Sequence, residues 1–278
     1  MYGTNDYLAE KNKHPRDVNI SFEEGPHIYT VCGERGTYTS VTTWNHTHFD
    51  KFDADAIIDK MMKSKNWNNP NYKYYGKTRE EIKKMWDDKR DHAACAGTNM
   101  HNDIEKYYNG IEVINNSEEF KYFKKFVDEF PELKPFRTEW MVYNEDLKLS
   151  GSIDMVFENT DGTLLIYDWK RCQEIQHDAQ FGKYSSTSCI SHLPDTNFWH
   201  YSLQLNTYKT ILEEKYGKIV DELYLVCLHP ENKNKDYQRI KVANLQEEVQ
   251  DLFQIRKNEI RKNEIRKNEI KNKDLKIN

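Results

Sequence analysis

The sequence Gly151-Ser-Ile-Asp-Met-Val-Phe-Glu-Asn-Thr-Asp-Gly-Thr-Leu-Leu-Ile-Tyr-Asp-Trp-Lys170 contains two apolar runs separated by Asn159-Thr-Asp-Gly162. Each run has the length and the apolar content of a strand. The Asp-Gly pair between them is a strong hairpin signal, because it tolerates the positive φ angles of a tight turn. We therefore predict two neighbouring strands over residues 152–158 and 163–170.

The second run ends in Asp168-Trp-Lys170. Since side chains two residues apart on a strand share a face, Asp168 and Lys170 project together and Trp169 points the other way. The hairpin can return Asp154 to the same end of the sheet. Two carboxylates there suit a hard cation such as Mg²⁺ or Mn²⁺, which keeps several waters and binds phosphate oxygens. Taken alone, the tripeptide is more often an ordinary charged strand end.

The segments around this hairpin predict a mixed α/β fold. Further strands are predicted at 137–143 and 222–229, with β-rich segments at 21–32 and 36–43. Helices are predicted at 52–63, 78–90, 93–108, 117–130 and 201–216, and Thr78 with Glu81 forms a capping box at the start of the second. This order indicates a central mixed, mainly antiparallel sheet flanked by helices.

The chain has 278 residues, of which 13% are aromatic and 31% charged. The aromatic content argues against disorder, and the length is enough to bury a core. Five widely spaced cysteines without a C-x-x-C pair indicate reduced thiols and no zinc, iron–sulfur or redox site. A membrane-length apolar stretch and a signal peptide are both missing, so we expect an intracellular, soluble protein of the cytoplasm or a viral replication compartment.

The net charge of −5 at first suggests that nucleic acid is not the partner, but the charge is segregated. Residues 60–90 hold ten Lys or Arg and four Asp or Glu, a local charge of +6. Aromatic residues are interleaved in this block: Trp67, Tyr72, Tyr74, Tyr75 and Trp86. Cations with aromatic faces suit a nucleic-acid strand, and we predict that Lys73, Lys77 and Arg79 contact DNA. A solvated face with core aromatics is the alternative.

The C-terminal block repeats Ile-Arg-Lys-Asn-Glu three times from Ile255. A five-residue period advances about 140° per repeat on a helix, so the isoleucines form no single buried face. We predict a solvated tail, helical or disordered, over 251–278. One domain is expected over 1–250, with a β-rich and helical extension over about 1–92.

Two further pairs of polar residues occur at helical spacing. In Gly97-Thr-Asn-Met-His-Asn-Asp-Ile-Glu105, the side chains of His101 and Glu105 lie one turn apart and can converge on a cation or a water. Gln204 and Tyr208 are also one turn apart and could bond to nucleotide or backbone groups. The plainer interpretations are a surface histidine with a solvated glutamate, and a boundary helix with a half-buried tyrosine.

Together these motifs resemble the PD-(D/E)XK nuclease superfamily, in particular the RecB-like branch that includes phage and large-virus exonucleases. The resemblance covers residues 22–229. It consists of four motifs in the family's order: G-T-x-x-H-x-x-x-E at 97–105, G-x-x-D at 151–154, D-W-K at 168–170 and Q-x-x-x-Y at 204–208. The chain departs from the family in having Asp168 where glutamate is commoner, and in lacking the cysteine set of the iron–sulfur relatives.

The resemblance implies a restriction-endonuclease-like fold and a metal-dependent deoxyribonuclease, with an exonuclease of replication, recombination or repair favoured. A structure-specific endonuclease and a non-catalytic DNA-binding module are the alternatives. The expected partner is DNA, through its ends or single strands, with no membrane partner; the oligomeric state is not indicated.

The resemblance also implies the roles of the site residues. Mg²⁺ or Mn²⁺ is expected on Asp154, Asp168, His101 and the Trp169 carbonyl, with Glu139 beside them. Lys170 would orient the attacking water or stabilise the transition state, and Glu105 would bind a second ion or act through a water. Gln204 and Tyr208 would contact DNA or buttress the site. Neither an iron–sulfur cluster nor a nucleotide cofactor is expected.

Overall fold

The computed structural model describes residues 6–179 and 182–274. Its strands are β1 (Ile20–Glu23), β2 (Ile28–Val31), β3 (Glu34–Arg35), β4 (Thr39–Ser40), β5 (Lys134–Asn144), β6 (Leu149–Glu158), β7 (Leu164–Lys170), β8 (Val220–Cys227) and β9 (Gln238–Lys241). Its helices are α1 (Tyr7–Lys11), α2 (Val41–His46), α3 (Ala54–Met62), α4 (Arg79–Tyr108), α5 (Glu118–Glu129), α6 (Asn197–Tyr216) and α7 (Gln246–Asp274).

Six strands form the central sheet, in the order β4-β6-β7-β8-β9 with β5 also paired to β6. The pairs β5–β6, β6–β7 and β8–β9 are antiparallel, whereas β4–β6 and β7–β8 are parallel. The predicted hairpin is present, and Gly162 takes the positive φ of 84° that its turn requires. The predicted fold class, a mixed and mainly antiparallel sheet flanked by helices, is confirmed.

Strand β7 is buried on both faces, which places it at the centre of the fold. Leu164 and Ile166 belong to the core on the side of α6 and α7. Leu165, Tyr167 and Trp169 belong to the core on the side of α4 and α5. The charged pair that ends this strand therefore emerges from the interior of the molecule.

Helix α4 is continuous over 30 residues, where the sequence predicted two helices. Residues 87–95 are all exposed, so no apolar periodicity connects the two predicted halves. The stretch still contains no proline and no glycine, and nothing in it ends a helix. The predicted capping box of Thr78 and Glu81 is confirmed at the start of α4.

Helix α7 begins before the predicted tail and runs through most of it. Leu252 and Phe253 are buried in the core, and the Arg256 guanidinium donates a hydrogen bond to the Leu147 carbonyl at 2.6 Å. The repeat is helical to Asp274, and residues 275–278 of the predicted tail lie outside the described residues. The short strand β9 has no counterpart in the sequence prediction. Among the described helices, none has the length and apolar character to cross a membrane.

Candidate active site

The ends of β6 and β7 bring two acidic residues together. Met155 pairs with Tyr167 in the register of the two strands, so Asp154 and Asp168 are the next opposing positions. The Trp169 amide donates a hydrogen bond to Asp154 Oδ2 at 3.0 Å, which fixes this carboxylate against β7. The proximity that the hairpin predicted is therefore observed.

His101 enters the same end of the sheet from α4. Its Nε2 donates a hydrogen bond to the Trp169 carbonyl at 2.9 Å. Its Nδ1 lies 3.6 Å from a carboxylate oxygen of Asp154 and 3.6 Å from one of Glu139. Burial opposes a charge on the imidazole, but Asp154 and Glu139 outweigh it and raise the pKa of His101 to about 9.

Glu139 reaches the site from β5 through an unusual backbone conformation. Its φ is +41°, in the left-handed region that a non-glycine residue seldom adopts. Ser152 Oγ donates a hydrogen bond to its second carboxylate oxygen at 2.8 Å. One ligand atom from each of His101, Glu139 and Asp154 lies within 4.8 Å of the others. In the described part of the chain, this is the one His/Cys/Asp/Glu group with the spacing of a metal site.

Asp168 and Lys170 form a buried ion pair beside this group. Asp168 is 2% exposed, and the Lys170 ammonium lies against its carboxylate and 4.5 Å from the centroid of the Tyr201 ring. Burial and the charge of Asp154 raise the pKa of Asp168, while Lys170 lowers it. The predicted common face of Asp168 and Lys170 is observed. Asp168 is not within the metal-spaced group, and the Trp169 carbonyl is engaged by His101.

Glu105 lies one turn beyond His101, outside the metal-spaced group. Burial is the main reason that its pKa is raised to about 7, and Glu139 and Asp6 contribute. It borders a cavity of about 200 Å³ together with Asn109 and Thr138. Its predicted role with a second ion or a water remains a prediction.

Gln204 and Tyr208 lie inside the molecule on α6, and Tyr208 is 2% exposed. The Tyr208 ring packs so closely on Gly151 that a Cβ there would lie 2.5 Å from the hydroxyl oxygen. Because Gly151 precedes Asp154 by three residues, the contact of Tyr208 with Gly151 favours the alternative in which Gln204 and Tyr208 buttress the site. Their direct contact with DNA remains a prediction.

Gly151→Ala is expected to destabilise the fold by about 1–3 kcal/mol, because the new methyl group overlaps a rigid, buried ring. Tyr208→Phe in the same chain should recover part of that loss, since the hydroxyl oxygen is the nearest atom. Urea unfolding followed by circular dichroism measures both. Gly97→Ala is the matched control, because its Cβ would meet nothing within 4 Å and should stabilise α4. Equal effects at the two glycines would contradict this account.

The three predicted DNA-contacting cations lie at the other end of α4. Arg79 forms ion pairs with Asp55 and Asp59, which tie α3 to α4. The Lys73 ammonium lies 5.3 Å from the centroid of the Tyr74 ring. Lys77 is half-buried in the turn before α4. Their contact with DNA remains a prediction.

Two contributors to the site were missed from the sequence. Ser152 holds Glu139, and its position two residues before Asp154 on β6 could have placed it on the same face. Tyr201 lies under Lys170, and its position one turn before Gln204 could have linked it to the same helix face.

Comparison with known families identifies a match over most of the chain. A family model for the PD-(D/E)XK nuclease superfamily matches residues 74–276, which include α4, the central hairpin, α6 and α7. Every residue of the metal-spaced group and the buried ion pair lies within this range. Comparison with curated proteins gives no match.

Proposed function

Because the chain belongs to the PD-(D/E)XK nuclease superfamily, we propose that it is a divalent-metal-dependent exodeoxyribonuclease acting on DNA ends. The observation that carries the proposal is the convergence of His101, Glu139 and Asp154 within 4.8 Å, beside the buried pair of Asp168 and Lys170. Membership of the RecB-like branch and a role in replication, recombination or repair are part of the proposal and rest on the resemblance of the motifs.

The side chains fit a hard cation. Two carboxylates and one imidazole offer three donor atoms, and Asp168 supplies a further carboxylate on the neighbouring strand. Carboxylate oxygens suit Mg²⁺, and a mixed oxygen and imidazole set also suits Mn²⁺. When bound, such a cation polarises the scissile phosphate and lowers the pKa of a water. His101, Glu139, Asp154 and Asp168 are the residues proposed to hold it.

The residues around the cation position have separate tasks in this proposal. The Trp169 amide and carbonyl hold Asp154 and His101 in place. Asp168 and the Tyr201 ring fix the Lys170 ammonium, so that it meets the reacting phosphate with little reorganisation. From there Lys170 orients the attacking water or stabilises the charge that develops on phosphorus. Glu105 is proposed to act through a water or a second ion.

The test is incubation with end-labelled linear DNA and with closed circular DNA, each single- and double-stranded, in Mg²⁺, Mn²⁺ or EDTA. We expect shortening of linear strands in Mg²⁺ or Mn²⁺, no cleavage of circles, and no reaction in EDTA. Cleavage of a closed circle would contradict the proposed exonuclease and support the alternative of a structure-specific endonuclease. Binding of DNA without cleavage in either metal would favour the non-catalytic module.

A further inference from the structure

Residues 52–90 form an arm at the far end of α4 from the candidate site. The arm consists of α3, the turn-rich segment 63–78 and the first turns of α4. Ile58 on α3 and Ile82 on α4 are fully buried, yet neither belongs to the two core clusters of the sheet. Since the helix is exposed on all sides over residues 87–95, the arm is a small unit joined to the rest of the fold by this helix and by the exposed residues 50–53.

The arm carries an unbroken series of aromatic rings. Neighbouring ring centroids are separated by 6.2 Å for Trp67 and Tyr72, 5.7 Å for Tyr72 and Tyr74, 6.1 Å for Tyr74 and Trp86, and 5.8 Å for Trp86 and Phe52. Phe52 is 72% exposed, and the nearby Tyr75 is 50% exposed. Rings inside a core do not show such exposure, so Phe52 at the end of the series and Tyr75 beside it offer open faces to solvent, whereas the other rings of the series are half-buried.

The arm also carries cations without acidic partners. Four of its ten basic residues form ion pairs with carboxylates: Arg79, Lys83, Lys84 and Arg90. Within the described ranges the other six have no carboxylate in ion-pair distance, and all are lysines: Lys60, Lys63, Lys65, Lys73, Lys77 and Lys89. Positive charge beside open aromatic faces is the surface that an unpaired strand requires, since its phosphates need cations and its bases stack on rings.

Helix α4 sets the distance between the arm and the site. Trp86 and His101 are 15 residues apart on one continuous helix. At about 1.5 Å and 100° per residue, they are separated by about 22 Å along the axis and about 60° around it. Both side chains thus lie on one side of α4. This span corresponds to about six nucleotides at about 3.4 Å each, and to fewer in an extended strand.

We propose that the arm binds single-stranded nucleic acid and guides the strand along α4 into the site, so that cleavage depends on the length of the strand. The occupant is a single strand and not a duplex, because bases already paired and stacked cannot lie on the rings. This proposal deepens the proposed function and rests on it.

The first test is a length series. Cleavage of oligothymidylates from two to twenty nucleotides is measured with Mn²⁺, with thymidine 5′-p-nitrophenyl phosphate as a probe that is too short to reach the arm. For the wild type, kcat/KM should rise with length and level off near the length that spans site and arm, about six to eight nucleotides. A kcat/KM that is independent of length beyond two nucleotides would overturn the proposal.

The second test removes exposed rings. Phe52→Ala with Tyr75→Ala should lower kcat/KM on the twenty-mer about fivefold or more, the effect of losing one stacked base, and leave the short probe unchanged. Ile114→Ala is the matched control, because this side chain is 88% exposed and lies outside the arm. Equal losses in the control, or unchanged cleavage of the twenty-mer by the arm variant, would overturn the proposal. Loss of the metal site is recognised separately, since Asp154→Asn should lose cleavage of both the twenty-mer and the short probe.

The third test measures how much the positive charge of the arm contributes to binding. Binding of a labelled twenty-mer in EDTA is followed by fluorescence anisotropy at several salt concentrations. Lys63→Gln, Lys65→Gln and Lys73→Gln together should reduce the slope of log K against log salt by about 2, since each phosphate contact contributes about 0.7 for a single strand. An unchanged slope, or tighter binding of a duplex than of the single strand, would overturn the proposal.

Discussion

Asp154→Asn is expected to lower metal-dependent cleavage about a thousandfold or more. The substitution removes one charge from the metal-spaced group, and the transition-state stabilisation that a cation supplies is worth several kcal/mol. Asparagine keeps the shape of the side chain and an oxygen that can accept the hydrogen bond from the Trp169 amide, so the fold should persist. Mn²⁺ affinity, measured by calorimetry, should fall with activity.

The matched control for this variant is Asp161→Asn. Asp161 lies in the turn of the same hairpin, where its carboxylate accepts a hydrogen bond from the Thr163 amide at 3.0 Å. It is exposed and far from the metal-spaced group, so the same loss of charge should leave cleavage and Mn²⁺ affinity unchanged. If Asp154→Asn cleaved DNA at the wild-type rate, Asp154 would not belong to the catalytic site.

Lys170→Met is expected to lower cleavage by a similar factor and to leave Mn²⁺ bound. Methionine retains most of the volume but removes the ammonium that Asp168 and the Tyr201 ring hold in place. Breaking a buried ion pair leaves its partner uncompensated, at a cost of about 3–5 kcal/mol. The variant should therefore unfold at lower urea, and adding Asp168→Asn should recover stability without recovering activity.

Lys148→Met controls for the loss of an ion-paired lysine. The Lys148 ammonium lies 2.8 Å from a carboxylate oxygen of Glu34 and 4.8 Å from the centroid of the Tyr38 ring, an environment similar to that of Lys170. It is more exposed and lies outside the site, so cleavage should not change. A loss in both variants would show that the effect at Lys170 is structural. Unimpaired cleavage by Lys170→Met would exclude the lysine from the reaction.

The parts of the site that the sequence predicted depend on local geometry. The i, i+2 rule of a strand places Asp168 beside Lys170, and a two-strand hairpin returns Asp154 to them. Glu139 was expected beside the site only from the family resemblance, because its approach depends on a left-handed backbone conformation in β5 that no pattern of residue types indicates. The ring of Tyr201 under Lys170 depends on the packing of α6 against β7, which is a long-range contact.

The fold likewise has parts that local sequence patterns predicted and parts that they did not. The strands of the central sheet other than β9 were predicted because apolar runs and a turn signal mark them. That α4 is one continuous helix was not predicted, because its middle has no apolar face. This rigid helix fixes the distance between the arm and His101. The beginning of α7 was also missed, although Val249, Leu252 and Phe253 form a buried face at helical spacing before the repeat begins.

The most direct test of the account is a metal titration of cleavage. Protein stripped with EDTA and dialysed is mixed with an end-labelled linear strand, and the cleavage rate is measured as Mn²⁺ is added. The account predicts no cleavage without metal, saturable activation by Mn²⁺ in the wild type, and no comparable activation in Asp154→Asn. Cleavage that persists in excess EDTA, or that saturates equally in wild type and Asp154→Asn, would contradict it.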